Sequence, residues 1–270
     1  MMGWQYRAWI LTAVAAALMP VSAPAAEPVP VLLATTAKYS DEMHVVDDAL
    51  VADHPGHLAE LLIEAGTRCG AAVRFRFVPW QRALAEVRNG DSDGAFSSSF
   101  DKDRQRYGVY PMAGDGVDTT RALKGYSYSL YVPRENGPSW NGQSVSGDGN
   151  MTIAVERGAS VIARLDQLGL PHVEVADNAT MLRMVAGGRV PAAAIISSAA
   201  DSLLAESREL RELVVKRALP VEEKYGYVML SKPFYAAHAD VAECLWDKIR
   251  DIRATPQYAE RVRFYGGEAP

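Results

Sequence analysis

Asn89-Gly90-Asp91-Ser92-Asp93-Gly94-Ala95-Phe96-Ser97-Ser98 has a counterpart about a hundred residues later: Gly187-Gly188-Arg189-Val190-Pro191-Ala192-Ala193-Ala194-Ile195-Ile196-Ser197-Ser198. Each stretch reads as a glycine helix stop, then a short apolar strand that ends in small hydroxyl residues. Working back from the first, Trp80, Leu84 and Val87 fall at helical spacing, and Arg74 to Val78 alternates like a strand. Before them, Leu58, Leu61, Leu62 and Ala65 mark another helix, and Val31 to Thr36 another strand. Working back from the second, Thr152 to Val155 is a strand running into Gly158-Ala159-Ser160, and Val161, Ile162, Leu165 and Leu168 share a helical face. Val173 to Ala176 follows as a strand, and Asn178 caps a helix through Met181, Leu182 and Val185. The unit strand-helix-strand-helix-strand therefore appears twice, which predicts two α/β lobes, each on a parallel sheet.

The connections complete this plan. Pro133 to Asn150 is rich in Gly, Pro, Ser and Asn and reads as a surface loop. Tyr126 to Val132 and Tyr225 to Leu230 alternate like strands where the chain passes between lobes, so the two form a hinge. Val241, Leu245, Ile249 and Ile252 share one helical face that returns to the first lobe. The expected division is a first lobe begun by residues 26–129, a second lobe over 130–230, and a return to the first over 231–270.

With 270 residues, 49% hydrophobic and 23% charged, the chain has enough apolar side chains for a folded core. Its formal charge of -5 gives no electrostatic footprint for nucleic acid. Arg7, the apolar run Ala8 to Met19 and Ala23-Pro24-Ala25 read as a secretory signal peptide over residues 1–25. The run is shorter than the roughly 20 residues that cross a bilayer, so a soluble mature protein in the periplasm is expected. Neither Cys69 nor Cys244 lies just after that run, where a lipid anchor would need one. An oxidising compartment permits a bridge between them, but two cysteines alone do not prove it.

Open parallel sheets bind ligands at the carboxyl ends of their strands, and two lobes place those ends across a cleft. Thr35, Thr36, Ser97, Ser98, Ser160, Ser197 and Ser198 lie at such ends, where hydroxyls either meet a polar solute or cap helices and turns.

Several motifs carry a resemblance. Pro79-Trp80-Gln81-Arg82-Ala83-Leu84, Asn89 to Phe96, Lys102-Asp103-Arg104 and Tyr110-Pro111 are similar to the extracellular solute-binding proteins of family 3, the periplasmic receptors of polar amino acid ABC transporters. Gly56 to Leu61, Gly158-Ala159-Ser160 and Lys232-Pro233 resemble further segments of that family. The resemblance implies a periplasmic-binding fold of type II, closing on its ligand like a clamshell. It also implies that Arg104 grips a ligand carboxylate, a task for which a guanidinium offers paired donors. Tyr39 and Trp80 become candidate walls of the pocket, or else core packing. The chain departs from the pattern at Ser197-Ser198, where the family usually carries an Asp for the ligand ammonium, with Asp201 a few residues on. A hydroxyl is no partner for a buried ammonium, so a standard α-amino acid ligand is in doubt. Leu58 also stands where the family usually has an acid, although Glu60 fits the next acidic position.

Catalytic patterns are weak. Asp53-His54-Pro55-Gly56-His57 offers metal donors without a His-Glu-x-x-His or Cys-x-x-Cys arrangement, and Gly142-Gln143-Ser144-Val145-Ser146 lacks the last glycine of a nucleophile elbow. The expectation is a monomeric binding protein, not an enzyme, without cofactor or metal. It captures a small polar, carboxylate-bearing solute for an ABC permease or membrane receptor. Its ligand-binding candidates are Thr36, Tyr39, Trp80, Ser98, Arg104, Ser160 and Ser197. A sensory accessory and a cyclohexadienyl dehydratase-like enzyme are the alternatives.

Overall fold

The structure, a computed structural model, describes residues 27–36, 42–147 and 151–267. The signal peptide reading and Tyr39 lie outside the described residues.

The first half runs β1 (Val29–Thr35), α1 (His57–Arg68), β2 (Ala71–Phe77), α2 (Trp80–Asn89) and β3 (Gly94–Ser99). β1 pairs in parallel with both β2 and β3. After the long strand β4 (Lys124–Pro133), the pattern returns as β5 (Ile153–Glu156), α3 (Ile162–Gln167), β6 (His172–Val175), α4 (Asn178–Ala186) and β7 (Ala192–Ile196). Here β5 pairs in parallel with β6 and β7, so each half has its first strand at the centre of a parallel trio. The chain then forms α5 (Ser197–Glu206), α6 (Arg208–Leu213) and the 18-residue strand β8 (Val214–Ser231). It ends in α7 (Lys232–Ala237), α8 (Ala239–Arg253) and α9 (Pro256–Phe264).

β4 and β8 join the halves. β4 runs antiparallel to β7, β8 runs antiparallel to β3, and the two pair with each other. Among the described residues this makes one nine-stranded sheet in the order β6-β5-β7-β4-β8-β3-β1-β2, with Gly108–Val109 also on β8. The register of β8 against β4 slips on both sides of Pro220, which has no N–H for the ladder and so sits at an irregularity. Although the hydrogen bonding is continuous, the core is not. In the first lobe, α1, α8 and α9 cover one sheet face through Leu61, Leu62, Leu245, Trp246 and Val262, while α2 and Tyr110 cover the other. In the second lobe, α3 covers one face and α4 with α5 the other. Truncating a residue as enclosed as Leu245 would cost about 2–5 kcal/mol.

Local chemistry explains the motifs. Gly90 ends α2 in the left-handed conformation, φ 79°, which costs glycine nothing. Asp93 accepts the Leu32 N–H at 2.7 Å and so joins the start of β3 to β1. Glu86 is buried and accepts from Ser92 Oγ at 2.8 Å and Arg82 Nε at 3.0 Å. Burial opposes its ionisation, but Arg82, Ser92 and Arg76 together hold its carboxyl below the ordinary range. The Asn89 to Phe96 motif thus builds the first lobe.

Several elements differ from the sequence reading. Asp177, not Asn178, caps α4, accepting the Thr180 N–H at 2.7 Å. Ser197 and Ser198 open helix α5 rather than ending a strand. β8 begins eleven residues before the expected Tyr225, at Val214. His54 packs its ring against Phe264 and Tyr265, while His57 Nδ1 meets the Tyr258 hydroxyl at 3.1 Å, so the Asp53 to His57 stretch supports the C-terminal helix. Cys69, at the end of α1, is bonded to Cys244 in α8, across 175 residues of sequence.

Candidate ligand-binding cleft

The carboxyl ends of both parallel trios meet at a pocket between the lobes. Thr36 from the end of β1, Trp80 from α2, Ser97 and Ser99 from β3 and Arg104 line it from the first lobe. Glu156 and Ser160 line it from the second, and Tyr126 and Tyr128 from the hinge strand β4.

Arg104 is 5% exposed. Its Nη1 donates to the Ser99 carbonyl at 3.0 Å, and its Nη2 donates to the Gly158 carbonyl at 3.0 Å, across the cleft. The guanidinium carbon lies 5.4 Å from the centre of the Trp80 ring. No carboxylate among the described residues forms an ion pair with it. A buried guanidinium served by carbonyls, hydroxyls and a ring face retains full positive charge and suits an incoming anion. Lys124, the second cation of the pocket, is instead paired with Glu42.

The hydroxyl candidates separate into two groups. Thr36 and Ser160 line the pocket, Ser160 facing the Tyr126 and Tyr128 phenols, and the Ser97 hydroxyl is buried without a hydrogen-bond partner among the described residues. Ser97 holds a positive φ of 59° inside β3, where the register of β8 slips between Tyr227 and Met229. Such strain in a residue facing a cleft is common at binding sites. Ser98 is fully enclosed behind the pocket, bonded to the Tyr110 hydroxyl at 2.9 Å, and does not line it. Burial pushes the Tyr110 phenol up to about 12, so it remains a neutral donor, bonded to the Ser99 carbonyl that Arg104 also uses. Ser197 also stays outside the pocket: its hydroxyl meets those of Ser127 and Ser129 at 2.8 and 2.9 Å and holds α5 against β4. Asp201 accepts from Tyr131 at 2.7 Å and from Lys216 at 2.6 Å, away from the cleft. Trp80 serves both roles considered for it, packing with Leu84 and Val87 on one side and facing the pocket on the other.

Glu156 is the residue that the hydroxyl pattern did not single out. It ends β5, lines the pocket, and its carboxyl has no hydrogen bond or ion pair among the described residues. Burial, with Asp177 adding repulsion, pushes that carboxyl up to about 7. Burial likewise keeps the Tyr126 and Tyr128 phenols protonated. No cluster of three or more His, Cys, Asp or Glu placed to hold a metal occurs among the described residues. No helix among them is long and apolar enough to cross a membrane.

No protein-family model matches the chain, and no curated protein matches it in sequence. Solved structures do match. A histidine kinase sensor domain with similarity to periplasmic binding proteins shares 17% identity, with a TM-score of 0.70 over 90% of this chain and 99% of that one. AbpA, an amino acid ABC transporter substrate-binding protein from Streptococcus pneumoniae bound to L-arginine, shares 15%, with a TM-score of 0.67 over 87% and 94%. ArgBP from T. maritima shares 12%, with a TM-score of 0.64 over 88% and 95%. At these identities the likeness is one of fold, and the fold of this chain is that of the periplasmic binding proteins.

Proposed function

We propose that this chain is a periplasmic solute-binding protein that captures a small, carboxylate-bearing polar solute between its lobes and presents it to an ABC permease. The observation that carries this reading is Arg104, a buried guanidinium that forms no ion pair with a carboxylate among the described residues, at the junction of two lobes. A carboxylate there gains charge-assisted bonds in a water-poor cleft and contacts the opposite lobe, so it favours the closed form by its differential contacts. The fold neighbours support the reading, since AbpA is a substrate-binding protein with an amino acid bound. A thermal-shift screen of the purified protein against organic acids, amino acids and short peptides tests it. Ligand at a hundred times its Kd adds roughly 2.7 kcal/mol of stability, and a flat response across all carboxylates rejects the reading.

A sensory role is the second reading, favoured by the sensor-domain neighbour, which this chain covers almost end to end. Deleting the gene separates the two: lost solute uptake marks transport, and intact uptake with a lost transcriptional response marks sensing. Glu156, titrating near neutrality in a cleft, also has the character of a general acid. Aromatic product from prephenate or arogenate would replace the binding role with a dehydratase one.

A further inference from the structure

We infer that Tyr110, behind the cleft, is a positioning residue: its hydroxyl braces Ser98 and Ser99 so that the Arg104 guanidinium is held ready at the pocket wall. The inference rests on the anion-binding role proposed for Arg104 and adds the group that holds it to that task.

Tyr110 follows the short strand Gly108–Val109, which pairs with Leu230 and Ser231 of β8. It is buried and does not line the pocket, so it reaches a solute only through its neighbours. The rings of Phe100 and Tyr227 meet it edge to face at 5.4 and 6.1 Å, which fixes the ring and with it the hydroxyl.

The protons of this cluster run one way. A carbonyl only accepts, so the Tyr110 hydroxyl donates its one proton to the Ser99 carbonyl at 2.9 Å. The Ser98 hydroxyl, also 2.9 Å away, therefore donates to the phenol oxygen. A guanidinium only donates, so Arg104 Nη1 gives to the same Ser99 carbonyl at 3.0 Å and makes a longer bond to Ser98 Oγ at 3.4 Å. Arg104, Ser98, Tyr110 and Ser99 thus close a ring of hydrogen bonds. Burial pushes the phenol up to about 12, so it stays protonated and the ring persists at ordinary pH.

The ring uses Nη1 and no other nitrogen of the fork. Nη2 reaches across to the Gly158 carbonyl, and Nε makes no hydrogen bond among the described residues. One side of the guanidinium is therefore spent on the scaffold, and the other is left for an anion. Both partners of the Tyr110 hydroxyl are residues that Nη1 also touches, which is what separates a brace for Arg104 from a phenol that merely satisfies itself. Without that brace a long, flexible side chain has to be ordered by the solute, and affinity falls.

The test reads the guanidinium directly. In nitrogen-15 spectra of the arginine side chains, with Arg104 identified by its absence in Arg104→Lys, the wild-type protein should give separate Nη1 and Nη2 signals, because the ring slows rotation of the fork. Tyr110→Phe keeps the aromatic ring and removes only the hydroxyl, and Ser98→Ala removes the link on its other side. Both variants should speed that rotation and broaden or merge the two signals. Signals unchanged in both variants, or a single averaged signal in the wild type, overturns the inference. Calorimetry with succinate, glutarate and L-glutamate gives a second reading. Any of them that binds the wild type should weaken about threefold to tenfold in Tyr110→Phe, and lose nothing further when Tyr110→Phe is added to Arg104→Ala. The same loss in both backgrounds marks Tyr110 as a residue of the fold only, and overturns the inference while sparing the anion-binding role. Failure of every probe on the wild-type protein overturns that role, and the spectra still decide whether Tyr110 holds the fork.

Discussion

The guanidinium of Arg104 in the first lobe donates to the backbone carbonyl of Gly158 in the second, at 3.0 Å. One side chain therefore occupies both the candidate anion site and the contact that holds the lobes together. Its Nη1 side is anchored to Ser99, so the fork is aimed before any solute arrives. Arg104→Ala is expected to weaken carboxylate binding by at least about tenfold. Arg104→Lys should recover only part of it, because an ammonium lacks the planar fork. Calorimetry checks both, and affinity unchanged in Arg104→Ala removes the residue from the site.

Gly158 itself has a φ of 73°, and a Cβ there would come within 2.0 Å of the Gln81 side chain across the cleft. Gly158→Ala should thus strain the loop, with the flexible Gln81 amide turning aside to make room. A solute affinity reduced several-fold by calorimetry is expected, and unchanged affinity would show that the loop's conformation does not matter to the site.

The Cys69–Cys244 bond ties α1 to α8 within the first lobe. Alkylation of the unfolded, unreduced protein should find no reactive thiol. Replacing both cysteines by alanine should lower stability by about 2–5 kcal/mol, given the long loop that the bridge closes. Chemical denaturation measures this, and the cleft, built from other residues, should keep its affinity under conditions where the variant is folded.

Stability should also report Glu156. Its carboxyl titrates near 7 in the folded protein against an ordinary 4.5, so between those values the folded state binds more proton than the unfolded one. This group's contribution to stability therefore falls as pH rises from about 4.5 to about 7, by at most roughly 1.4 kcal/mol per pH unit. Glu156→Gln should flatten that slope and melt at a higher temperature than the wild type above neutral pH. Parallel melting-temperature profiles for the two proteins would show that burial does not perturb the group.

Ser197→Ala separates position from function. Its hydroxyl bonds join α5 to β4 outside the pocket, so the variant should lose about 1 kcal/mol of stability and keep its solute affinity.

The repeated strand and helix order was readable because both copies carry strong punctuation, Gly90 after one helix and Gly187-Gly188 after another, before fully apolar strands such as Ala192–Ile196. β8 was only half readable. From Val214 to Glu223 it mixes Lys, Arg and Glu with a Pro at a register slip, since much of that strand faces solvent. At the cleft, strand-end spacing pointed to Thr36 and Ser160 and the family resemblance to Trp80 and Arg104, all four of which line the pocket, but neither could say which way a strand-end side chain turns. Ser98 and Ser99 differ by one step in a β-strand, and that step decides that Ser98 points behind the wall. Glu156 lies one residue beyond the strand end read at Val155, and nothing in the spacing pointed to it.

The packing of α8 and α9 onto α1 gives the first lobe a core drawn from both ends of the described chain. A polypeptide threading outward from its amino end delivers β1, β2 and β3 long before the helices that roof them. Until those last turns emerge, Leu33, Leu61 and Phe96 are covered by α1 alone, and the nascent lobe exposes apolar surface. The second lobe takes its core from consecutive residues and can mature first, so capture of a solute must wait for the tail.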